Sequence, residues 1–361
     1  MSEFIAELVP QAVKKLIPYQ SARRIGGSGR VWLNANELEH PVQNDSADME
    51  LNRYPDFLPQ DIAKAYQRYT RTSADVVAVR GADEAIDLLI RTFCQPGKDS
   101  IVICSPTYAM YEFCAESLAI EVRDAPLKAC FNLDVDKVVE EAKHANMVFL
   151  CSPNNPTGNV IPRGDIISVL EGTKHSSLVV VDEAYIEFEL GASTADLIEQ
   201  FPHLVVIRTL SKAFGLAAVR CGFIVASGAV MEYVNKLIPP YPMPDCSSKI
   251  VLKSLSEKGL EQVKHVTDEL IATRDWFSLE LAKLDIVSEV YPSSTNFVLV
   301  KARAGVDLFD VMKNKGIVTR NQTHEPALQQ CVRITIGSKA SMLEVIDVLT
   351  TYSEEQCVEL S

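Results

Sequence analysis

Arg208-Thr209-Leu210-Ser211-Lys212-Ala213-Phe214-Gly215-Leu216 is the stretch on which the reading of this chain turns, with Arg220 eight residues beyond the lysine. The run before it, Leu204-Val205-Val206-Ile207, is apolar throughout, as strands buried on both faces of a parallel sheet are. Ser211 and Lys212 therefore fall just past the C-terminal end of a strand, where open α/β sheets gather their chemistry. Leu210, Ala213, Phe214 and Leu216 would strip water from the lysine and favour its neutral amine, a nucleophile that condenses with an aldehyde. The alternative is a loop lysine with its head in water.

At 361 residues the chain exceeds a single typical core, which predicts two domains. With 47% hydrophobic and 23% charged residues it is expected to be globular, and no apolar run approaches the roughly 20 residues of a membrane helix. Met1-Ser2-Glu3-Phe4-Ile5-Ala6-Glu7 lacks a basic start and a long apolar core, so a cytoplasmic location is expected. The nine cysteines form no C-x-x-C pair and several sit in apolar runs, which predicts buried thiols and no metal site. A net charge of -13 repels polyanions, so nucleic acid is not an expected partner, and an anionic substrate must be held by local arginines.

Residues 1–30 contain Pro10, Pro18 and Gly26-Gly27-Ser28-Gly29 and read as an extended or partly helical arm. The glycines mark a turn, since no strand precedes them and the dinucleotide-binding spacing is absent. Tyr54, beside Pro55, has either a packing or a binding role. From about 75 to 226, apolar runs alternate with helical periods, the pattern of a mostly parallel α/β sheet. The runs are Val76–Val79, Ile101–Cys104, Met147–Cys151, Leu178–Val181, Leu204–Ile207 and Phe223–Ala226. After the first comes Arg80-Gly81-Ala82-Asp83-Glu84 and an amphipathic helix whose free N–H groups could bind phosphate or simply be acid-capped. Asp83 and Glu84 are expected to point away while the backbone donates. The later runs end in Ser105-Pro106-Thr107-Tyr108, Ser152-Pro153-Asn154-Asn155-Pro156-Thr157-Gly158 and Asp182-Glu183-Ala184-Tyr185. Asp182 follows apolar residues and needs a positive partner to stay ionised; a protonated pyridine nitrogen is one. From about 246, strands around 296–300 and 331–336 and helices around 306–315 and 341–352 suggest a smaller α+β domain. Arg333 lies within one of those strands and requires an anion, either an internal carboxylate or a ligand's.

Together, Tyr108 could stack on a flat ring, Asn155, Asp182 and Tyr185 could hold its substituents, and Gly81, Ala82, Ser211 and Arg220 could receive a phosphate. These requirements describe a pyridoxal 5'-phosphate site. In these motifs, in Leu33-Asn34-Ala35-Asn36-Glu37, in Asn52-Arg53-Tyr54-Pro55 and in Val332-Arg333-Ile334-Thr335, the chain resembles the fold-type I aminotransferases with the aspartate aminotransferase-like fold. Within them it is most similar to the histidinol-phosphate aminotransferases, over nearly its whole length. The resemblance implies an N-terminal arm at 1–30, a large cofactor-binding α/β domain at 31–245 and a small α+β domain at 246–361. It implies that Lys212 carries the cofactor, Asp182 pairs with its ring nitrogen, Asn155 and Tyr185 bond its ring oxygen, and Tyr108 stacks on it. Thr209, Ser211, Arg220 and the backbone at Ala82 and Asp83 are then the phosphate ligands, with Tyr54 reaching across a homodimer that shares its active sites. Tyr19, Asn36, Arg320 and Arg333 match substrate contacts, although Asn321-Gln322-Thr323-His324-Glu325 departs from the family pattern. The implied substrates are histidinol phosphate and the pair 2-oxoglutarate and glutamate, with no metal required. Transamination of aromatic amino acids, a decarboxylase acting on threonine phosphate and a non-catalytic regulator remain alternatives, the last requiring a DNA-binding domain for which 1–30 leaves no room.

Overall fold

The computed structural model describes residues 2–18, 34–38, 40 and 51–359. Seven strands form the larger sheet: β1 Asp75–Val79, β2 Ser100–Ile103, β3 Glu121–Asp124, β4 Met147–Cys151, β5 Leu178–Asp182, β6 Leu204–Thr209 and β7 Gly222–Ala226. Their order is β1-β7-β6-β5-β4-β2-β3. The strands from β3 to β6 are parallel, whereas β7 runs antiparallel to both β6 and β1. The α/β class expected from the alternation is the class observed.

Period-two alternation divides each central strand between two cores. Val179 and Val181 pack on one face, Leu178 and Val180 on the other. Because both faces are covered by helices, β4, β5 and β6 are buried along their length. That double burial is why they appear in the sequence as unbroken apolar runs. Register then sets the site: Cys151 pairs with Asp182, Asp182 with Ile207, and Gly222 with both Thr209 and Val79. The C-terminal ends of β1, β4, β5 and β6 and the start of β7 thus share one edge.

The N-terminal segment is partly helical, at Ser2–Leu8 and Gln11–Lys15, but it is docked rather than free. Ile5, Val9 and Val13 are buried in the same core as Val230, Val234 and Ile238 of the segment after β7. The glycine-rich turn and Tyr19 lie outside the described residues.

A second sheet, wholly antiparallel, contains β8 Val287–Val290, β9 Phe297–Ala302, β10 Arg320–Asn321 and β11 Cys331–Thr335 in the order β10-β11-β9-β8. The helices Leu308–Asn314 and Lys339–Glu359 build a third core on it. Glu257–Leu281, a 25-residue helix capped by Ser256 Oγ accepting from the Gly259 N–H, joins the two parts. Its Leu260 and Val263 pack on the first core, its Phe277 and Leu281 on the third. Val251 and Leu255 also belong to the first core, so packing crosses the expected division after residue 245. Among the described residues no helix is long and apolar enough to cross a membrane.

Candidate active site

A cleft opens at the shared edge, lined by Asp182, Tyr185, Thr209, Ser211, Lys212 and Arg220, together with Ala82, Asp83, Tyr108 and Asn155. It adjoins a second cavity that reaches Arg320 and Arg333. Residues from both sheets therefore meet at Lys212, which lines both spaces.

At the floor, Asp182 is 2% exposed. Its Oδ2 accepts from the Tyr111 hydroxyl at 2.7 Å and its Oδ1 from the Ala184 N–H at 3.1 Å. Burial pushes the carboxyl up to about 6, against the lowering effect of those two donors. Among the described residues Asp182 has no ion-pair partner, so the positive group its position calls for is not supplied by a side chain.

Lys212 is an exposed side chain that lines the cleft. Its Nζ lies 5.4 Å from the centre of the Tyr185 ring. Desolvation lowers its pKa, and Arg333 lowers it further. Tyr185 is buried edge-on against Phe297 at 5.3 Å, and burial raises its hydroxyl pKa.

The opposite end is rich in donors. Gly81, at φ +86°, precedes the 12-residue helix Ala82–Phe93, whose first N–H groups are left without intrahelical acceptors. Thr209 Oγ1 donates to Ser211 Oγ at 3.0 Å and accepts from the Ser211 N–H at 3.2 Å. Arg220, also in the left-handed region, reaches Ser211 Oγ at 3.5 Å. Gly222 allows the backbones to meet here, since a Cβ on it would lie 2.6 Å from the Gly81 carbonyl carbon.

Glu84 turns away from the cleft as expected, accepting from the Arg80 N–H at 2.5 Å and from its guanidinium. Asp83 does not. Its carboxylate accepts from Tyr108 Oη at 2.9 Å and from Arg220 Nη2 at 3.3 Å, so the phenol and guanidinium draw the acid inward while Arg80 is taken up by Glu84. Arg333 has no carboxylate partner among the described residues. Its Nη1 donates to Asn155 Oδ1, its guanidinium stacks 5.2 Å over Phe297, and its Nε is buried without an acceptor. Register places Arg320 directly opposite Arg333, on the same face of the small sheet.

Tyr54 and Asn36 are not among the residues lining this chain's cleft. Tyr54 is 50% exposed, stacks on Tyr241 at 4.6 Å and is anchored by its N–H to Glu37 Oε1 at 2.7 Å. Sequence reasoning passed over several residues now seen at or near the site. Tyr111 lies in the helix Met110–Ser117, three residues beyond Tyr108, and Asn154 holds its loop by donating to Pro106 O and accepting from Thr107 Oγ1, each at 2.9 Å. Behind the cleft, the buried Arg208 pairs with Glu183 at 2.6 Å and with Glu187 at 3.7 Å. The alternation Arg320-Asn321-Gln322 was the available signal for Gln322, which lines the second cavity beside His324 and Glu325.

A buried carboxylate without a cation at one end, donors for an anion at the other and a desolvated lysine between them fit pyridoxal phosphate. Residues 29–349 match the aminotransferase class I and II family. The histidinol-phosphate aminotransferase of Aeromonas salmonicida is 45% identical over 346 residues, covering 96% of this chain and 98% of its own. The solved histidinol-phosphate aminotransferase of Clostridium acetobutylicum superposes with a TM-score of 0.79 at 23% identity, covering 84% of this chain and 92% of its own. That of Sinorhizobium meliloti, solved with pyridoxal 5'-phosphate, gives 0.76 at 22%, with 86% of each chain covered. The chain belongs to the class I and II aminotransferases, as a pyridoxal phosphate-dependent member of the histidinol-phosphate aminotransferase family.

Proposed function

We propose that this chain transfers an amino group from L-histidinol phosphate to 2-oxoglutarate, giving imidazole acetol phosphate and L-glutamate in histidine biosynthesis, in the cytoplasm. The observation that carries the reading is Arg333: a half-buried cation on the wall that also holds Lys212, tied to an amide rather than an acid. Its charge is left for a ligand, and a guanidinium fork suits both a phosphate monoester and a carboxylate. That is the one chemical feature the two substrates share.

In this reading Thr209, Ser211, Arg220 and the N–H groups of Ala82 and Asp83, with Gly81 keeping the backbone close, receive the cofactor phosphate. Tyr108 covers the ring, Asp182 keeps its nitrogen protonated, and Asn155 and Tyr185 donate to its oxygen. Pyridoxal phosphate supplies an electron sink for the pair released when the substrate Cα–H bond breaks. Lys212 holds the cofactor at rest. With the donor bound, the neutral amine of Lys212 would act as the base that takes the Cα proton and as the acid that gives it back. Desolvation makes that amine available, and Arg333 opposes its protonation. Arg320, Asn36 and Tyr19 are the further substrate contacts, and Tyr54 serves the partner's site in a homodimer. The division into an arm at 1–30, a large domain at 31–245 and a small domain at 246–361 belongs to the same reading.

A panel of amino donors assayed with 2-oxoglutarate tests it. Histidinol phosphate should yield glutamate in equal amount and no CO2. Release of CO2 from threonine phosphate, with histidinol phosphate inert, would replace transamination by decarboxylation.

A further inference from the structure

We propose that Gln322 determines substrate specificity, its side-chain amide meeting the imidazole ring of the donor. The inference rests on the donor assigned above and adds a recognition element to it. Arg320 stands opposite Arg333, and strand alternation turns residue 322 to the same face as 320. The Gln322 N–H continues the ladder by donating to Cys331 O at 3.0 Å, and its carbonyl accepts from the Glu325 N–H at 3.0 Å. Both backbone groups are therefore engaged. The side chain is not: Gln322 is 4% exposed, and its amide makes no hydrogen bond among the described residues. It lines the cavity shared by Lys212, Arg320 and Arg333.

A ligand entering the cavity strips water from this amide, and one that pairs with it offsets that loss. Neutral imidazole carries one N–H donor and one ring-nitrogen acceptor, which match the amide's acceptor and donor. Arg333 and Arg320 can hold anions but cannot accept from a ring N–H, so the amide adds what they lack. In the second half-reaction the same NH2 can donate to the distal carboxylate of 2-oxoglutarate. A hydrocarbon ring would leave the amide buried and unpaired, which is the stronger basis for rejection.

The test compares histidinol phosphate with phenylalaninol phosphate on the cofactor-loaded enzyme, since the two share the amine and phosphate and differ only in the ring. Wild type should favour the imidazole donor in kcat/KM. Gln322→Met, close in length and volume, should lower that preference by about tenfold, the usual size of one hydrogen bond lost, with the change carried mainly in KM. Gln322→Asn, which withdraws the amide by one methylene, should lower it too. Melting curves establish that each variant folds, and either one suffices. Equal losses on both donors, or no loss, would overturn the assignment. A wild type inert toward histidinol phosphate would remove the donor reading and this inference together, whereas an active wild type with indifferent variants removes the inference alone.

Discussion

A substitution at Asp182 should stabilise the cofactor-free protein while lowering transamination. Its folded-state pKa of about 6 lies above the ordinary 3.8 because burial penalises the ionised form. Below about pH 4 both folded and unfolded chains hold the proton; between 4 and 6 only the folded chain does, and above 6 folding buries a charge. Stability from this group is therefore full at low pH and lost as pH rises through 6. Asp182→Asn should stabilise the cofactor-free chain at pH 8 by on the order of 3 kcal/mol, the worth of about two pKa units, and change it little at pH 4. Tyr111 Oη can rotate to accept from the new amide. Urea unfolding at the two pH values reads the difference, and a destabilised variant at pH 8 would contradict it. Transamination should nevertheless fall, since no carboxylate remains to hold a ring proton. Arg333→Lys tests the other end: lysine keeps the charge and loses the fork. Both half-reactions should weaken by on the order of 1.5–3 kcal/mol in transition-state binding, followed by stopped flow. Impairment with glutamate alone would place the histidinol phosphate anion elsewhere.

The helix Ala82–Phe93 and the start of β7 act as one element at the donor-rich end of the cleft. Gly81 takes a backbone conformation that side chains avoid, and Arg220 Nη2 would lie 2.7 Å from a Cβ placed there. Gly222 is constrained differently, by backbone on both sides: an added Cβ would meet the Gly81 carbonyl carbon at 2.6 Å, and the Ala82 nitrogen and the Arg208 oxygen at 2.9 Å. Neither strand nor helix end can yield as a flexible side chain would. Gly222→Ala should therefore push the helix start away from Thr209 and Ser211, costing about 1–3 kcal/mol as overpacking does, and loosen cofactor retention. Melting temperature and cofactor lost on dialysis measure the two effects. Gly164→Ala, where nothing lies within 4 Å, is the control.

For the whole molecule, the proposed sharing of sites makes a quantitative prediction. Tyr54 is half exposed and lies outside the lining of its own chain's cleft. If it completes the site of a second copy, inactive Lys212→Ala chains mixed with inactive Tyr54→Ala chains should regain activity. Each mixed dimer has one site with both lesions and one with neither, so equal mixing with random exchange restores about one quarter of sites. No recovery after proven exchange would show that Tyr54 does not act across an interface. Behind the cleft, the buried pairing of Arg208 with Glu183 and Glu187 holds the strand before Ser211 against the loop after Asp182. Removing one member would leave an uncompensated buried charge.

The sequence by itself determined the α/β class, the central strands and the edge at which Lys212 emerges. Strands buried on both faces must be apolar at every position, and chemistry gathers where such runs end. It also contained, in order, the donors that now face one another at one end of the cleft. Tertiary structure alone decided what depends on alignment between distant segments. Tyr111 reaches Asp182 across 71 residues, and no local pattern encodes that meeting. The polar edge strand β3 and the two-residue β10 carry too little apolar signal to be read from the chain. Asp83 turns inward because Arg220, from another loop, is placed beside it. Gln322 becomes a candidate contact because β10 is registered against β11, which sets its amide facing Lys212's cavity with its backbone already satisfied. Periodicity reports which positions are buried; which side chains meet there is set by register and by the packing of one sheet against the other.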